Sequence, residues 1–129
     1  MSQVYLLTID QGTTSTRAIL FDHAGNVAGI TQKELPLHCP HNGWVEQNPE
    51  DIWNDTRTVC RNVLRNCGVD PRQLAGIGIT NQRETTIVWE RSNSRPIYNA
   101  IVWQDRRTAR ECEKLREAGH NDIVSQKTG

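Results

Sequence analysis

The stretch Val4-Tyr5-Leu6-Leu7-Thr8-Ile9-Asp10-Gln11-Gly12-Thr13-Thr14-Ser15-Thr16-Arg17-Ala18-Ile19-Leu20-Phe21 decides the fold. Val4 to Ile9 is a short run of β-branched and apolar residues, the composition of a buried strand. Asp10 to Ser15 is rich in turn formers, and Thr16 to Phe21 reads as a second strand. Asp22-His23-Ala24-Gly25-Asn26 is a hairpin turn in which Gly25 and Asn26 suit positive φ. Val27 to Leu35 then continues as a third strand. Three strands joined by tight turns make an antiparallel meander.

Working outward, Asn48-Pro49-Glu50-Asp51 is a helix start. Asn48 suits the N-cap, Pro49 the first helical position, and the two acids face the positive end of the helix dipole. Ile52, Val59, Val63 and Leu64 give the helix an apolar stripe, and Gly68 suits the position just past its end. Ala75 to Thr80 is a strand whose two glycines allow close backbone approach. Thr85 to Glu90 and Ile97 to Trp103 read as further strands, separated by the polar turn Arg91 to Pro96. Thr108 to Ala118 is a charged helix ending at Gly119, with Ala109, Cys112 and Leu115 on one face. No linker, repeat or low-complexity tract interrupts this α/β unit. A mixed sheet needs helices over its faces, and with only two good helices the chain reads as unfinished.

Composition narrows the function classes. The 129 residues are 36% hydrophobic and 23% charged, a soluble balance. Fifteen basic and fifteen acidic residues cancel, so no global field draws the chain to nucleic acid or anionic lipid. Any charged ligand must meet a local site. No apolar run approaches the ~20 residues that span a bilayer, and Val4 to Ile9 lacks the basic flank and cleavage site of a signal peptide. The four cysteines show no Cys-x-x-Cys pair, and Cys60 and Cys67 on one helix would stand about 10 Å apart, too far for a disulfide. Free thiols point to a reducing, cytoplasmic setting. His38, Cys39 and His41 are metal-competent, but Pro40 and the want of a second ligand group argue against a closed site. The sequon Asn54-Asp55-Thr56 falls inside the expected helix and reads as chance.

Chemistry concentrates first in Asp10 to Arg17. A glycine in a tight turn lets main-chain N–H groups point at an anion. Thr13, Thr14 and Ser15 add hydroxyl donors, Arg17 adds a planar and permanent charge suited to phosphate, and Asp10 has the chemistry to hold Mg²⁺ through its waters. A polar hairpin of strand-favouring threonines is the plain alternative. The clustering of these residues between two strands, with no Gly-x-x-x-x-Gly-Lys-Ser/Thr elsewhere, favours the phosphate reading. The arrangement resembles the first phosphate-binding segment of the actin, hexokinase and Hsp70 ATPase superfamily.

The second cluster is Asn81-Gln82-Arg83-Glu84, delivered at the end of the strand Ala75 to Thr80. It offers both donors and acceptors, which a polyhydroxylated ligand needs. Arg83 and Glu84 are adjacent, so in an extended strand they point to opposite faces. They serve one ligand only if the chain turns there; a surface ion pair of small consequence is an equal reading from the residues alone.

Asp10 to Arg17, Gly43-Trp44-Val45-Glu46-Gln47-Asn48-Pro49, Gly78 to Glu90 and Pro96 to Thr108 together resemble the amino-terminal domain of the glycerol kinases, within the FGGY family of sugar and polyol kinases. The resemblance covers essentially the whole chain. It implies the first part of an actin/hexokinase/Hsp70-like (ribonuclease H-like) ATPase domain, with residues 1–129 an incomplete FGGY amino-terminal domain and the carboxy-terminal nucleotide domain absent. It also implies ATP, Mg²⁺ and glycerol as ligands, a cytoplasmic homo-oligomer at full length, and glycerol 3-phosphate as product. Thr13, Thr14, Ser15 and Arg17 would meet the nucleotide phosphates, Thr13 also lying near the transferred group. Asp10 would lie near Mg²⁺ and substrate. Arg83 and Glu84 would hydrogen-bond the glycerol hydroxyls, and Trp103 would wall its carbon backbone. Trp44 and Trp53 read as packing at the helix entry. The family's substrate tyrosine and general-base aspartate would lie past Gly129, so the expectation is a chain inactive on its own. Another FGGY sugar kinase, and a non-catalytic actin- or Hsp70-like module, are the competing readings.

Overall fold

A computed structural model describes residues 3–129; Met1 and Ser2, placed by the sequence ahead of the first strand, lie outside the described residues. The meander is present: β1 (Tyr5–Gln11), β2 (Ser15–Asp22) and β3 (Val27–Glu34) pair antiparallel in sequence. Asp22 builds the second turn by accepting from the backbone N–H groups of Ala24 and Asn26, each at 2.9 Å. Of the two residues expected there at positive φ, only Gly25 adopts it, at 83°. The side chain of Asn26 instead donates back to Asp22.

α1 (Pro49–Asn66) begins as the sequence predicts, with the Asn48 side chain accepting from Glu50 N–H at 3.0 Å. It ends in a Schellman motif: Gly68 sits at φ 64°, Gly68 N–H donates to Arg65 O and Val69 N–H to Leu64 O. A 3-10 turn, Pro71–Gln73, then leads into β5 (Leu74–Thr80). β5 lies parallel to β1, giving a mixed sheet in the order β3-β2-β1-β5.

The alternation along β2 buries Thr16, Ala18 and Leu20 against α1. Together with Leu7, Val59, Val63 and Val69 they form the core, and Tyr5, Cys60, Leu64, Cys67 and Leu74 pack around it. Thr31 donates to the Val59 carbonyl, and Lys33 pairs with the buried Asp55 carboxylate, so β3 is fastened to the same helix. Fully burying a leucine or valine side chain, as at Leu20, Val59 and Val63, stabilises by about 1.5–3 kcal/mol.

Beyond Thr80 the structure departs from expectation. Thr85 to Glu90 and Ile97 to Trp103 are not full strands. In place of a continuous ladder there are isolated bridges, Thr86 with Ile101 and Trp89 with Pro96 of the intervening turn. Pro96 has no N–H to donate, and the regular pairing falls elsewhere: β4 (Glu46–Gln47) takes up β6 (Ala100–Ile101) as a short antiparallel ribbon. Ile101 is thus held by Glu46 on one side and Thr86 on the other.

α2 (Ala109–Glu117) forms, followed by α3 (Asn121–Thr128), which the sequence pattern does not reveal. Neither covers the sheet. Every residue from 108 to 129 is exposed, Ala109, Cys112 and Leu115 included. With three apolar residues among so many charges, α2 has too narrow a stripe to compete for the sheet. It carries instead the ion pairs Lys114–Glu111 and Arg116–Glu113. All four cysteines are free, and among the described residues no three His, Cys, Asp or Glu side chains gather as a metal group. No described helix is long and apolar enough to cross a membrane.

Candidate functional site at the carboxyl ends of two parallel strands

Because β1 and β5 are parallel neighbours with Asp10 beside Thr80, both segments singled out by the sequence leave the sheet at the same end. Ligands of open α/β sheets gather outside such carboxyl ends. Here a cleft of about 290 Å³ is lined by Asp10, Gln11, Gly12, Thr13, Asn81, Gln82, Arg83, Glu84 and Trp103. Two stretches some seventy positions apart in sequence face one space.

The hairpin between β1 and β2 is closed by Gly12 N–H donating to Ser15 O at 3.0 Å, and a Cβ on Gly12 would crowd that same oxygen at 3.0 Å. A side chain there would press on the Ser15 carbonyl, so the close approach of the two backbones favours glycine. Gln11 anchors the hairpin on the helix: its Oε1 accepts from Thr16 at 2.8 Å and from Thr56 of α1 at 3.0 Å. From the other side Leu35 N–H donates to Thr14 O.

The turn needed to bring Arg83 and Glu84 to one ligand is present. Glu84 adopts φ 61°, a left-handed conformation that L-residues with a Cβ avoid. The chain folds back after Gln82, and Arg83 and Glu84 both line the cleft. A strained backbone at a binding loop is where such outliers concentrate.

The other expected site residues divide. Asp10, Thr13 and Trp103 lie in the cleft with Arg83 and Glu84. Thr14 and Ser15 line a separate hollow with Gln32, Glu34, Leu35, Pro36 and Leu37. Arg17 is the cross-strand partner of Asp10; its guanidinium lies 3.5 Å from the Asp10 carboxylate and also donates to Gln32. Both members of that pair are near 40% exposed, at 39% and 43%, so water screens it and either group can be recruited by an anion or cation. Trp103 is half-exposed, and its indole N–H donates to Thr13 Oγ1 at 2.9 Å.

Behind the cleft lies a buried charged network that sequence reasoning passed over. Glu46 is 2% exposed and accepts from Tyr98 Oη, Asn99 Nδ2 and Arg107. Asp105 accepts from Val45 N–H at 2.7 Å and is forked by Arg107. The Asn99 amide and then Arg107 hold the Glu46 carboxyl below its usual range. The Arg107 hydrogen bond, aided by the Val45 N–H, draws Asp105 down to about 2. The Arg107 guanidinium lies 3.8 Å from the centre of the Trp44 ring, with His41 edge-on to the same indole. Trp44 thus packs as expected. Trp53 does not: it is 59% exposed, beside Trp89 and Pro96 in a shallow apolar hollow.

Gln47 is a further site element that the sequence does not single out, whereas its partner Gln82 belongs to the polar cluster already named. The place of Gln47 between Glu46 and the helix cap Asn48 reads as helix entry. Gln47 is wholly buried and joins the two loops, donating to Thr13 O at 2.6 Å and accepting from Gln82 at 2.8 Å.

Known proteins share this architecture. A glycerol kinase of Marinomonas sp. (strain MWYL1) is 56% identical over 125 residues, which is 97% of this chain and 25% of that protein. A glycerol kinase of Rhodopirellula baltica is 55% identical over 124 residues, 96% of this chain and 23% of that protein. The chain therefore spans about a quarter of the length of the curated relatives it matches. Among solved structures, Plasmodium falciparum glycerol kinase with ADP superposes with a TM-score of 0.79 at 30% identity, over 88% of this chain and 23% of that one. A gluconate kinase from Lactobacillus acidophilus gives 0.88 at 22% identity, over 97% of this chain and 25% of that one, a likeness of fold. The N-terminal domain model of one family matches residues 5–129, taking in both arms of the cleft and the ribbon behind it: the chain belongs to the FGGY family of carbohydrate kinases.

Proposed function

We propose that this chain supplies the phosphate hairpin and the polyol-binding loop of a glycerol kinase, which transfers the γ-phosphoryl of ATP to a primary hydroxyl of glycerol. The observation that carries the reading is the single cleft shared by Asp10, Thr13, Arg83, Glu84 and Trp103. The names of the relatives that share more than half of its residues agree with it.

Arg83 donates and Glu84 accepts, so between them they can hold neighbouring hydroxyls, each of which both gives and takes a hydrogen bond. The indole face of Trp103 offers an apolar wall to the carbon chain. Thr13 stands between acceptor and phosphates, and Thr14, Ser15 and Arg17 serve the phosphates from the hairpin. Phosphoryl transfer depends chiefly on such positioning and on charge stabilisation. The half-exposed Asp10 carboxylate at the mouth of the cleft fits a Mg²⁺ held through water, since that ion keeps most of its hydration and needs few protein ligands. Bound there, Mg²⁺ would offset negative charge on the phosphates. On the same reading residues 1–129 belong to the FGGY amino-terminal domain, and the complete enzyme works in the cytoplasm as a homo-oligomer.

The test is a ¹H–¹⁵N NMR titration of the chain with glycerol, xylulose, gluconate and Mg·ATP in turn. Glycerol should move the Asn81 to Thr85 amides and the Trp103 indole, and Mg·ATP the Gly12 to Arg17 amides. A response to xylulose or gluconate but not to glycerol would transfer the assignment to another sugar kinase. No response to any of them would remove it.

A further inference from the structure

The cleft is held together by a closed ring of hydrogen bonds. Gln47 Nε2 donates to the Thr13 carbonyl at 2.6 Å. Gln82 Nε2 donates to Gln47 Oε1 at 2.8 Å, and Thr85 Oγ1 donates to Gln82 Oε1 at 3.0 Å. Trp103 N–H then donates to Thr85 Oγ1 at 3.2 Å, and the Trp103 indole N–H returns to Thr13 Oγ1 at 2.9 Å. We propose that Gln47 is a positioning residue that locks the phosphate hairpin to the acceptor loop and fixes the polarity of this ring. The proposal rests on reading the cleft as the joint phosphate and polyol site.

The argument begins with a carbonyl, which can only accept. Gln47 must therefore turn its NH₂ toward Thr13, and its oxygen toward Gln82. Gln82 must then present NH₂ to Gln47 and its oxygen to the Thr85 hydroxyl. The Thr85 lone pairs are left for the Trp103 amide. One backbone oxygen thus sets the orientation of two amides and a hydroxyl, and no member of the ring can flip alone without opposing two donors or two acceptors. Gln47 is fully buried, so a broken bond there is not replaced by water and costs the desolvation of the abandoned group.

Two consequences bear on ligands. The Thr13–Thr14 peptide is planar and trans, so with its carbonyl held by Gln47 its N–H, that of Thr14, points the opposite way, away from the buried amide. The Thr13 hydroxyl accepts from the indole, which leaves its own proton for an oxygen in the cleft. Gln47 touches no ligand position itself and acts through Thr13 and Gln82. An ordinary buried glutamine satisfied by nearby backbone would not join two loops in this way.

The experiment compares Gln47→Met, Gln82→Met and Val63→Ala in the 129-residue chain by ¹H–¹⁵N NMR, without ligand and then with glycerol. Trp103→Phe identifies the indole resonance. Gln47→Met should shift the Trp103 indole signal, speed its exchange with water roughly 5- to 10-fold, and weaken glycerol binding by a similar factor, the worth of one hydrogen bond. Gln82→Met should do the same. Val63→Ala, which opens a cavity under α1, should lower stability and leave both readouts in place. Should Gln47→Met fail to fold, the half-buried Gln82→Met decides the outcome. An indole signal unmoved in the glutamine variants, or moved equally by Val63→Ala, overturns the proposal. If the glutamine variants move the indole but glycerol binds no form of the chain, the ring stands and the polyol reading of the cleft falls.

Discussion

Glu84 carries two constraints at once, a charge for the cleft and a backbone angle of 61° that its Cβ resists. Left-handed strain at a residue with a Cβ amounts to about 1–2 kcal/mol. Glu84→Gly should therefore raise stability, by about 1 kcal/mol after glycine's greater unfolded-state freedom is set against the relief. The same change removes the carboxylate, so glycerol binding should weaken; chemical denaturation and calorimetric titration report the two effects separately. A stability gain without loss of binding would show that Glu84 faces the cleft without using it. Its neighbour makes a simpler case. Arg83→Ala should weaken glycerol binding by ~1.5–3 kcal/mol, the range for a hydrogen bond to a charged group, and an unchanged Kd would remove Arg83 from the site. The residue types here were legible in the sequence, and so was the geometric condition on them, that the chain must turn. That it turns through a strained glutamate was not, because no glycine or asparagine marks the spot.

At the scale of elements, α1 shows why some parts of a chain read easily. Its cap, proline, acidic first turn and carboxyl-terminal glycine all agree. Asn48→Ala should cost about 1 kcal/mol, read from the urea midpoint at unchanged slope. The segments 85–90 and 97–103 misled because alternation and β-branched residues say that a segment can pair without saying with what. The β4–β6 ribbon took the pairing, and its reason lies in the Glu46–Asp105–Arg107 network, whose members are scattered in sequence. That network has a pH signature. Both carboxyls are held below their ordinary values, so their stabilisation is complete above the unfolded range near pH 4. It is lost as pH falls toward the folded value, about 2 for Asp105. Trp44 fluorescence, sensitive to the stacked Arg107, should change between about pH 4 and 2 in the native chain. Asp105→Asn should be less stable at neutral pH by about 2 kcal/mol, as expected for a buried charge-assisted bond, and the gap should close as the pH approaches 2. A gap that persists in acid would mean that packing, not charge, holds the loop.

For the molecule as a whole, stability is concentrated in the sheet and α1, while residues 108–129 are exposed throughout. Deleting residues 109–129 should leave the unfolding free energy within about 0.5 kcal/mol, as for surface changes generally, and limited proteolysis should cut there first. A larger loss would mean that α2 and α3 support the core in solution. The sheet order was partly legible: the meander follows from its turns, but the parallel pairing of β1 with β5 does not, since nothing local marks a partner so distant in the chain. That pairing also bears on how a family diversifies. The two arms of the cleft sit on separate strands and meet only beyond the last rung of the ladder, where Asp10 stands beside Thr80. Mutations after Thr80 can therefore reshape that side of the cleft without disturbing the register that presents the Gly12 hairpin. The sheet register is thereby shielded from drift in either loop, while the buried Gln47 still couples the loops to each other, so a change in one is felt by its neighbour through side chains and not through the ladder.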